Sequence, residues 1–289
     1  MSSPPSAPAS PFPPRTEPPT PTSIVKRLYF CRHGETAMNA AGGLQGQGSN
    51  YELNDTGREQ ARCMAQVFKD LEVDYFVSSD LKRAIQTAEV SQKLYPKEIP
   101  LTIEPALKEI SWGVWEGTRT SELDELVKSW DQGDYNASAP GGESPIQVEA
   151  RCMPAVYALL KNRPEQNIVV VVHGRLLRIL LSSLMFRNLD YMSTLTHHNC
   201  CINVVDCIIE TDPSRISKSE AAEPGPQLPF ANLSRLPDPH VLDSPRGNTC
   251  HASAHRPSQP TFSHPVGIKC IPRVLDYRAH LPEHMNGYI

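Results

Sequence analysis

Two histidines, each followed by glycine, raise the chemical question. His33 stands in "YFCRHGET" directly after Arg32, and His173 stands in "IVVVVHGR"; each closes a run of apolar residues. A neutral imidazole is a competent nucleophile near neutral pH, and an arginine fork pairs two phosphate oxygens at once. Arg83, in "SSDLKRAIQ", offers a second fork. Brought to one place, Arg32, His33, Arg83 and His173 make a cationic pocket suited to phosphoryl chemistry, in which one imidazole attacks phosphorus and the other holds an equatorial oxygen as charge shifts. Such a reaction also needs a proton donor. "LKEISWGVWEG" supplies Glu109 and Glu116. Glu109, set among Leu107, Ile110 and Trp112, has the apolar neighbours that suit a general acid, and Glu116 is the weaker candidate.

The elements that must position these groups can be read from periodicity. Residues 27–31, 73–77 and 168–172 have the length and apolar content of strands, the last without polar alternation, as in a sheet covered on both faces. Between them run helical faces: Ala61, Met64, Ala65 and Phe68; Leu81, Ala84, Ile85, Ala88 and Leu94; Leu176, Leu177, Leu180, Leu181 and Leu184. Strand and helix alternate, which predicts an α/β fold with a mainly parallel sheet. Ligands of such sheets collect beyond the carboxyl ends of strands, where helix N-termini offer free N–H groups. Both His-Gly pairs fall at such ends. Ser78-Ser79-Asp80 predicts an N-cap for the helix that carries Arg83 in its first turns.

Proline marks the boundaries. Nine of the 28 prolines lie in the first 22 residues and twelve lie beyond Glu210, so residues 1–22 read as a disordered tail and 211–289 as a mostly disordered one around a domain at 23–210. "PFPPRTEPP" has the form of a spacer or a ligand for a proline-reading domain, and an ordered piece is expected near 271–278. A formal net charge of -4 with no basic stripe excludes nucleic acid as a partner. The longest apolar run, 168–172, is far below the roughly 18 residues of a membrane span. The N-terminus lacks a leader pattern, which predicts a cytoplasmic protein with reduced cysteines. "HHNCC" at 197–201 and the scattered Cys250, His251, His255, His264 and Cys270 are zinc-ligand types without a compact zinc spacing, so no metal is expected. His197 and His198 belong to the loop before a last strand at 202–209, near the pocket rim.

Taken in order, "RHGET" with Asn39, "LQGQG", "LNDTGREQA", "SSDLKRAIQTAE", "LKEISWGVWEG", "GGES" and "VVHG" resemble the histidine phosphatase superfamily, branch 1, the phosphoglycerate mutase-like group, over roughly residues 26–206. The resemblance implies a three-layer α/β/α sandwich. It implies that His33 is the phosphorylated histidine, that Arg32, Arg83 and His173 clamp the phosphate, and that Glu109 is the proton donor. It further implies substrate contacts at Asn39, Gln45, Gly46 and Gly174, and neither metal nor organic cofactor. Two departures concern the substrate: Arg175 stands where many relatives have a small or polar residue, and Gly48-Ser49-Asn50-Tyr51 lacks an acid.

Residues 116–134, read as the cap over the pocket, carry six acids against two bases, which disfavours a polyanionic substrate. "LQGQG" and "WGVWEG" are similar to those of the broad-specificity hydrolytic members. The expected activity is therefore hydrolysis of a small phosphomonoester. A phosphoglycerate-type mutase or sugar-bisphosphate phosphatase stands as one alternative, and a non-catalytic binding protein that uses the fold and its proline-rich tails as the other.

Overall fold

The strand Asn167–Val172 (β4) buries all six of its residues and forms the centre of a sheet in the computed structural model, which describes residues 10–216 and 260–285. Its continuous valine run fits a position covered on both faces. Ser23–Arg32 (β1) lies parallel on one side of it, and Tyr75–Ser78 (β2), followed by Leu101–Ile103 (β3), lies parallel on the other. Ile202–Glu210 (β5) and Ile268–Tyr277 (β6) complete the order β3-β2-β4-β1-β5-β6, β5 running antiparallel to both its neighbours.

Because side chains alternate along a strand, the sheet feeds two separate cores. Leu28, Phe30, Ile168, Val170 and Val172 face Pro145–Asn162 (α5) and Gly174–Phe186 (α6). Tyr29, Cys31, Val169 and Val171 face Asp55–Lys69 (α2) and Lys82–Leu94 (α3). The result is the expected three-layer α/β/α sandwich with a mostly parallel sheet. A short helix, Ala37–Ala40 (α1), follows β1, and Glu122–Asp131 (α4) lies in the segment between β3 and α5. No helix among the described residues is long and apolar enough to cross a membrane.

Register places the site. Arg32 pairs with Val172 and Ser78 with Val171, so the residues that follow, His33, His173 and Ser79, emerge at the same level of one sheet edge.

Several local expectations change. The helix α3 has Leu81 as its N-cap, without a side-chain cap, in place of Ser78-Ser79-Asp80. The Ser79 hydroxyl is occupied by His173, and Asn50 Oδ1 accepts from Lys82 N at 2.8 Å, a cap supplied by a distant loop. The buried face of α3 holds Arg83, Ala84, Thr87, Ala88 and Ser91, whereas Leu94 is exposed. β2 begins at Tyr75, not at residue 73.

Two stretches assigned to the tails pack on the sheet. Phe12 is buried between Tyr29 and Tyr277, and Thr16 donates through its N and Oγ1 to Asp206, which also accepts from Arg27. A buried Asp–Arg pair leaves carboxylate lone pairs to satisfy, and the N-terminal segment satisfies them. The ordered piece expected near 271–278 is longer, the ten-residue β6, whose Ile268, Cys270 and Val274 are buried. Residues 1–9, 217–259 and 286–289, with Cys250, His251 and His255, lie outside the described residues.

Candidate active site

His33 directly follows β1 and is buried. Its Nδ1 donates to the Gly34 carbonyl at 2.7 Å, which makes Nε2 the unprotonated, acceptor nitrogen. Burial first, then the charges of Arg83 and Arg32, hold its pKa well below the ordinary imidazole value, so the ring is neutral. A neutral ring with a fixed tautomer is the form that can attack an electrophile.

Arg83 comes from the first turn of α3 and is fully buried. Its Nε donates to His33 Nε2 at 3.2 Å, while Nη1 and Nη2 donate to the carbonyls of Ser49 and Gly46 at 3.0 and 3.1 Å. Burial, with Arg32 adding to it, pulls its pKa to about 10, which leaves it charged at neutral pH. Gly46 is required by close approach: a Cβ there would lie 2.8 Å from the Ile110 carbonyl and strike Glu116. The Gly46–Ser49 stretch thus aims Arg83 by backbone, and Glu116 holds that stretch by accepting from Gln47 N at 3.1 Å and Ser49 Oγ at 3.2 Å. Glu116 is a loop anchor.

His173 occupies the N-cap position of α6, and its ring lies 5.2 Å from that of His33, centroid to centroid. Its Nε2 shares a 2.6 Å hydrogen bond with Ser79 Oγ, while its buried Nδ1 has no partner among the described residues. Burial and then Arg83 and His33 keep it neutral, its pKa well below the ordinary value. Arg32 donates through Nη1 to the His197 carbonyl at 2.8 Å, and its buried Nε is unpartnered. Gly174 allows that approach, since a Cβ there would lie 3.1 Å from Arg32 Nε. Four groups named from sequence therefore meet at one edge.

Glu109 joins them, but not in the apolar cage its sequence neighbours suggest. Its Oε1 accepts from Ile110 N and Leu176 N at 2.9 and 2.8 Å, and Oε2 accepts from Arg175 N at 3.0 Å. The carboxylate caps the N-terminus of α6, beside His173. The apolar side chains of Leu107, Ile110 and Trp112 are indeed buried; they face the core, while the carboxylate faces amides.

Asn39 and Gln45 are both engaged internally. Asn39 Oδ1 accepts from Thr36 N and Oγ1, closing the capping box of α1, and Gln45 Oε1 accepts from Thr36 Oγ1 at 2.9 Å. Arg175 points neither freely to solvent nor to another ion: its guanidinium lies 5.7 and 5.3 Å from the ring centroids of Trp112 and Trp130. Burial and then Arg178 lower its pKa to about 10.

Sequence reading missed the supporting groups. Glu143 binds Arg151 at 2.8 Å and accepts from Gln47 Nε2 and Ser111 N, while Arg151 donates to the carbonyls of Ala106, Lys108 and Glu109, so the pair ties the Glu109 loop to α5. Asn199 Nδ2 donates to the His33 carbonyl at 2.9 Å. The only signals were the acid in "GGES" and the polar pair before "CCIN", neither of which predicts its partner. Among the described residues His197, Cys201 and Asp276 bring metal-ligand atoms within 4.8 Å of one another. Both Asp276 oxygens already accept from His198, and the charges of Arg32 and Arg178 act on His197.

Comparison with known proteins assigns the family. The family model described as histidine phosphatase superfamily (branch 1) matches residues 28–213. A probable phosphoglycerate mutase GpmB of Erwinia tasmaniensis is 32% identical over 184 residues, 62% of this chain and 84% of its own. A glucosyl-3-phosphoglycerate phosphatase of Mycolicibacterium vanbaalenii is 33% identical over 172 residues, 56% of this chain and 75% of its own. The mycobacterial glucosyl-3-phosphoglycerate phosphatase solved with VO3 superposes with a TM-score of 0.57 at 29% identity, covering 63% of this chain and 93% of that one. Two neutral histidines and two arginine forks gathered by parallel strands, inside a match of this extent, place the chain in the histidine phosphatase superfamily, branch 1.

Proposed function

We propose that the protein hydrolyses small phosphomonoesters through a phosphohistidine on His33. The observation that carries this reading is the His33 tautomer: the Gly34 carbonyl accepts from Nδ1–H, so Nε2 is the unprotonated nitrogen, and the Arg83 Nε–H that it accepts at 3.2 Å turns to a phosphoryl oxygen when substrate binds, which frees the lone pair to attack. Nε2 attacks phosphorus as the bond to the leaving oxygen breaks, and Glu109 gives that oxygen its proton. Arg32, Arg83 and His173 hold the equatorial oxygens as their charge redistributes. Water then attacks the phosphohistidine, passes a proton back to Glu109, and inorganic phosphate leaves with His33 restored. In this reading Asn39, Gln45, Gly46 and Gly174 shape the phosphate side of the pocket.

Hydrolysis of a singly phosphorylated substrate is favoured by the acids of the cap, since Glu122, Asp124 and Glu125 stand in the first turn of α4. The similarity to a glucosyl-3-phosphoglycerate phosphatase supports a small-molecule ester. The test is phosphate release from a panel of phosphomonoesters in the presence of chelator, combined with rapid acid quench. Release that resists chelator, with an acid-labile phosphoryl group absent from His33→Ala, is expected. A folded wild-type protein that cleaves no ester and traps no phosphoryl group overturns the reading.

A further inference from the structure

The loop before β5 touches the catalytic edge with consecutive residues. Arg32 Nη1 donates to the His197 carbonyl at 2.8 Å, and Cys200 N donates to the Arg32 carbonyl at 3.1 Å. With Arg32 Nε buried and unpartnered, the His197 carbonyl is the contact that orients this guanidinium among the described residues. What holds His197 in turn is its neighbour: His198 donates to Asp276 through its backbone N to Oδ1 at 2.9 Å and through Nδ1 to Oδ2 at 2.7 Å. Among the described residues His197's own ring has no hydrogen-bond partner.

Asp276 lies on β6, and the strand is deformed where it stands. Ile202 pairs with Tyr277 but Val204 with Val274, a register shift that inserts an extra residue opposite the start of β5. Asp276 has a φ of 51°, the left-handed region that a non-glycine side chain enters at a cost, and its N donates to Asn203 Oδ1 at 2.9 Å. A bulge re-aims one side chain out of the regular alternation, and bulges gather beside active sites for that reason. Here the re-aimed side chain is a carboxylate, and it meets His198. On the same segment His280 Nε2 donates to the Cys200 carbonyl at 3.0 Å, so the loop is held at two points.

We propose that Asp276 is a positioning residue: through His198 it fixes the His197 carbonyl, and through that carbonyl the Arg32 guanidinium, in the geometry that binds the phosphoryl group. This rests on the reading of Arg32 as a phosphate ligand. It also makes the strand beyond residue 260 part of the site, although it follows β5 only after a long connection.

The test uses the full chain and inorganic phosphate as probe. Glycine accepts the backbone of residue 276 without strain, so Asp276→Gly removes the carboxylate alone, and Asp276→Asn keeps both the left-handed backbone and an acceptor for His198 N. Asp276→Gly is expected to weaken phosphate binding by about tenfold and to lower kcat/KM by a similar factor, with Asp276→Asn recovering to within about threefold of wild type. In an Arg32→Ala background Asp276→Gly should change phosphate affinity by less than about twofold, because the residue it acts through is gone. A purely structural role would instead lower the melting temperature and give the same loss in both backgrounds. Wild-type affinity in a folded Asp276→Gly, or an undiminished effect without Arg32, overturns the proposal. If Asp276→Gly does not fold, His198→Ala takes its place in the same cycle with the same expectation.

Outcomes for the wild type keep the two readings apart. Wild-type protein that binds phosphate yet cleaves no ester overturns the phosphatase reading, and the affinity cycle still decides for Asp276. Wild-type protein that binds no phosphate removes the clamp and the proposal together.

Discussion

The carboxyl ends of β1, β2 and β4 present side chains to the pocket, whereas the antiparallel edge, β5 and β6 with the loop before them, presents carbonyls and a carboxylate to those side chains. On the parallel side a reactive residue needs only to follow a buried strand, since register alone brings His33, Ser79 and His173 level. On the antiparallel side the useful groups are backbone atoms, placed by a bulge and a left-handed residue. In the proposed reading one half selects the chemistry and the other sets its geometry.

The comparison predicts that removing a fork from the parallel side has the largest effect. Arg83 makes three directed contacts, to His33 Nε2 and to the carbonyls of Ser49 and Gly46. Lysine keeps the charge but has no planar fork, so Arg83→Lys should lower kcat/KM by about 10³-fold, comparable to the loss of a directed transition-state donor. Steady-state kinetics on a folded variant decides it. A loss of less than tenfold would mean that charge suffices and that the fork geometry is incidental.

That contrast also explains what could be read from sequence. β1 and β4 are apolar runs ended by Arg-His-Gly and His-Gly, and a burial pattern that ends on a charged group is visible in one dimension. Side-chain partners are not. Ser79 looks like a helix cap in "SSDLKR", and the structure gives its hydroxyl to His173 while Asn50 caps the helix from elsewhere in the chain. Glu109 has apolar neighbours in sequence and amide neighbours in space, because the N-terminus of α6 is brought to it by the fold. Asp276 sits in a proline-rich region read mostly as a tail, and nothing in "RVLDYR" tells that its strand pairs with β5 or that it turns left-handed.

Glu109 sits where the cap meets the parallel half, and its role separates proton transfer from binding. Glu109→Gln preserves the acceptor for the α6 amides through one oxygen but holds no acidic proton. Turnover of an alkyl phosphate, whose leaving alkoxide needs that proton, should fall by about 10²-fold, within the usual range for a general acid. p-Nitrophenyl phosphate, with a good leaving group, should lose less than about tenfold in the phosphorylation step. Equal losses on both substrates would assign Glu109 to electrostatics or to capping, and the proton donor would have to be sought elsewhere.

The pair that ties the Glu109 loop to α5 should respond more weakly and mainly in stability. Glu143 and Arg151 form a half-buried pair at 2.8 Å that also holds Gln47 and Ser111 N. Burial pushes the Glu143 carboxyl up, yet the Arg151 contacts outweigh it and its pKa lies below the ordinary value. Glu143→Gln should cost about 1–2 kcal/mol, since it leaves hydrogen bonds of a charged network partly unmade. Urea unfolding at neutral pH gives that value directly, and kcat should change by less than about threefold. A large loss of kcat with unchanged stability would move Glu143 from the support of the Glu109 loop into the site.

The smallest effect tests whether the antiparallel edge is as dry as its geometry implies. Burial lowers the pKa of His197 to about 3 and that of His280 to about 4, so both are neutral in the native protein at pH 6. In the unfolded chain each titrates near 6.5. As pH falls through that value the unfolded state takes up protons that the native state refuses, and stability must fall with it. Between pH 7.5 and 6.0 each ring should remove about 0.8 kcal/mol from the unfolding free energy. Replacing His197 with Phe should flatten the pH dependence by that amount, read from urea midpoints at the two pH values. His33 and His173 titrate in the same direction, so phosphate must be absent during the comparison, because an anion on the parallel half would bind the native state and mask their share. If His197→Phe leaves the slope unchanged, the ring already binds its proton in the native protein, and the loop that carries Arg32 is more open to water than its burial indicates.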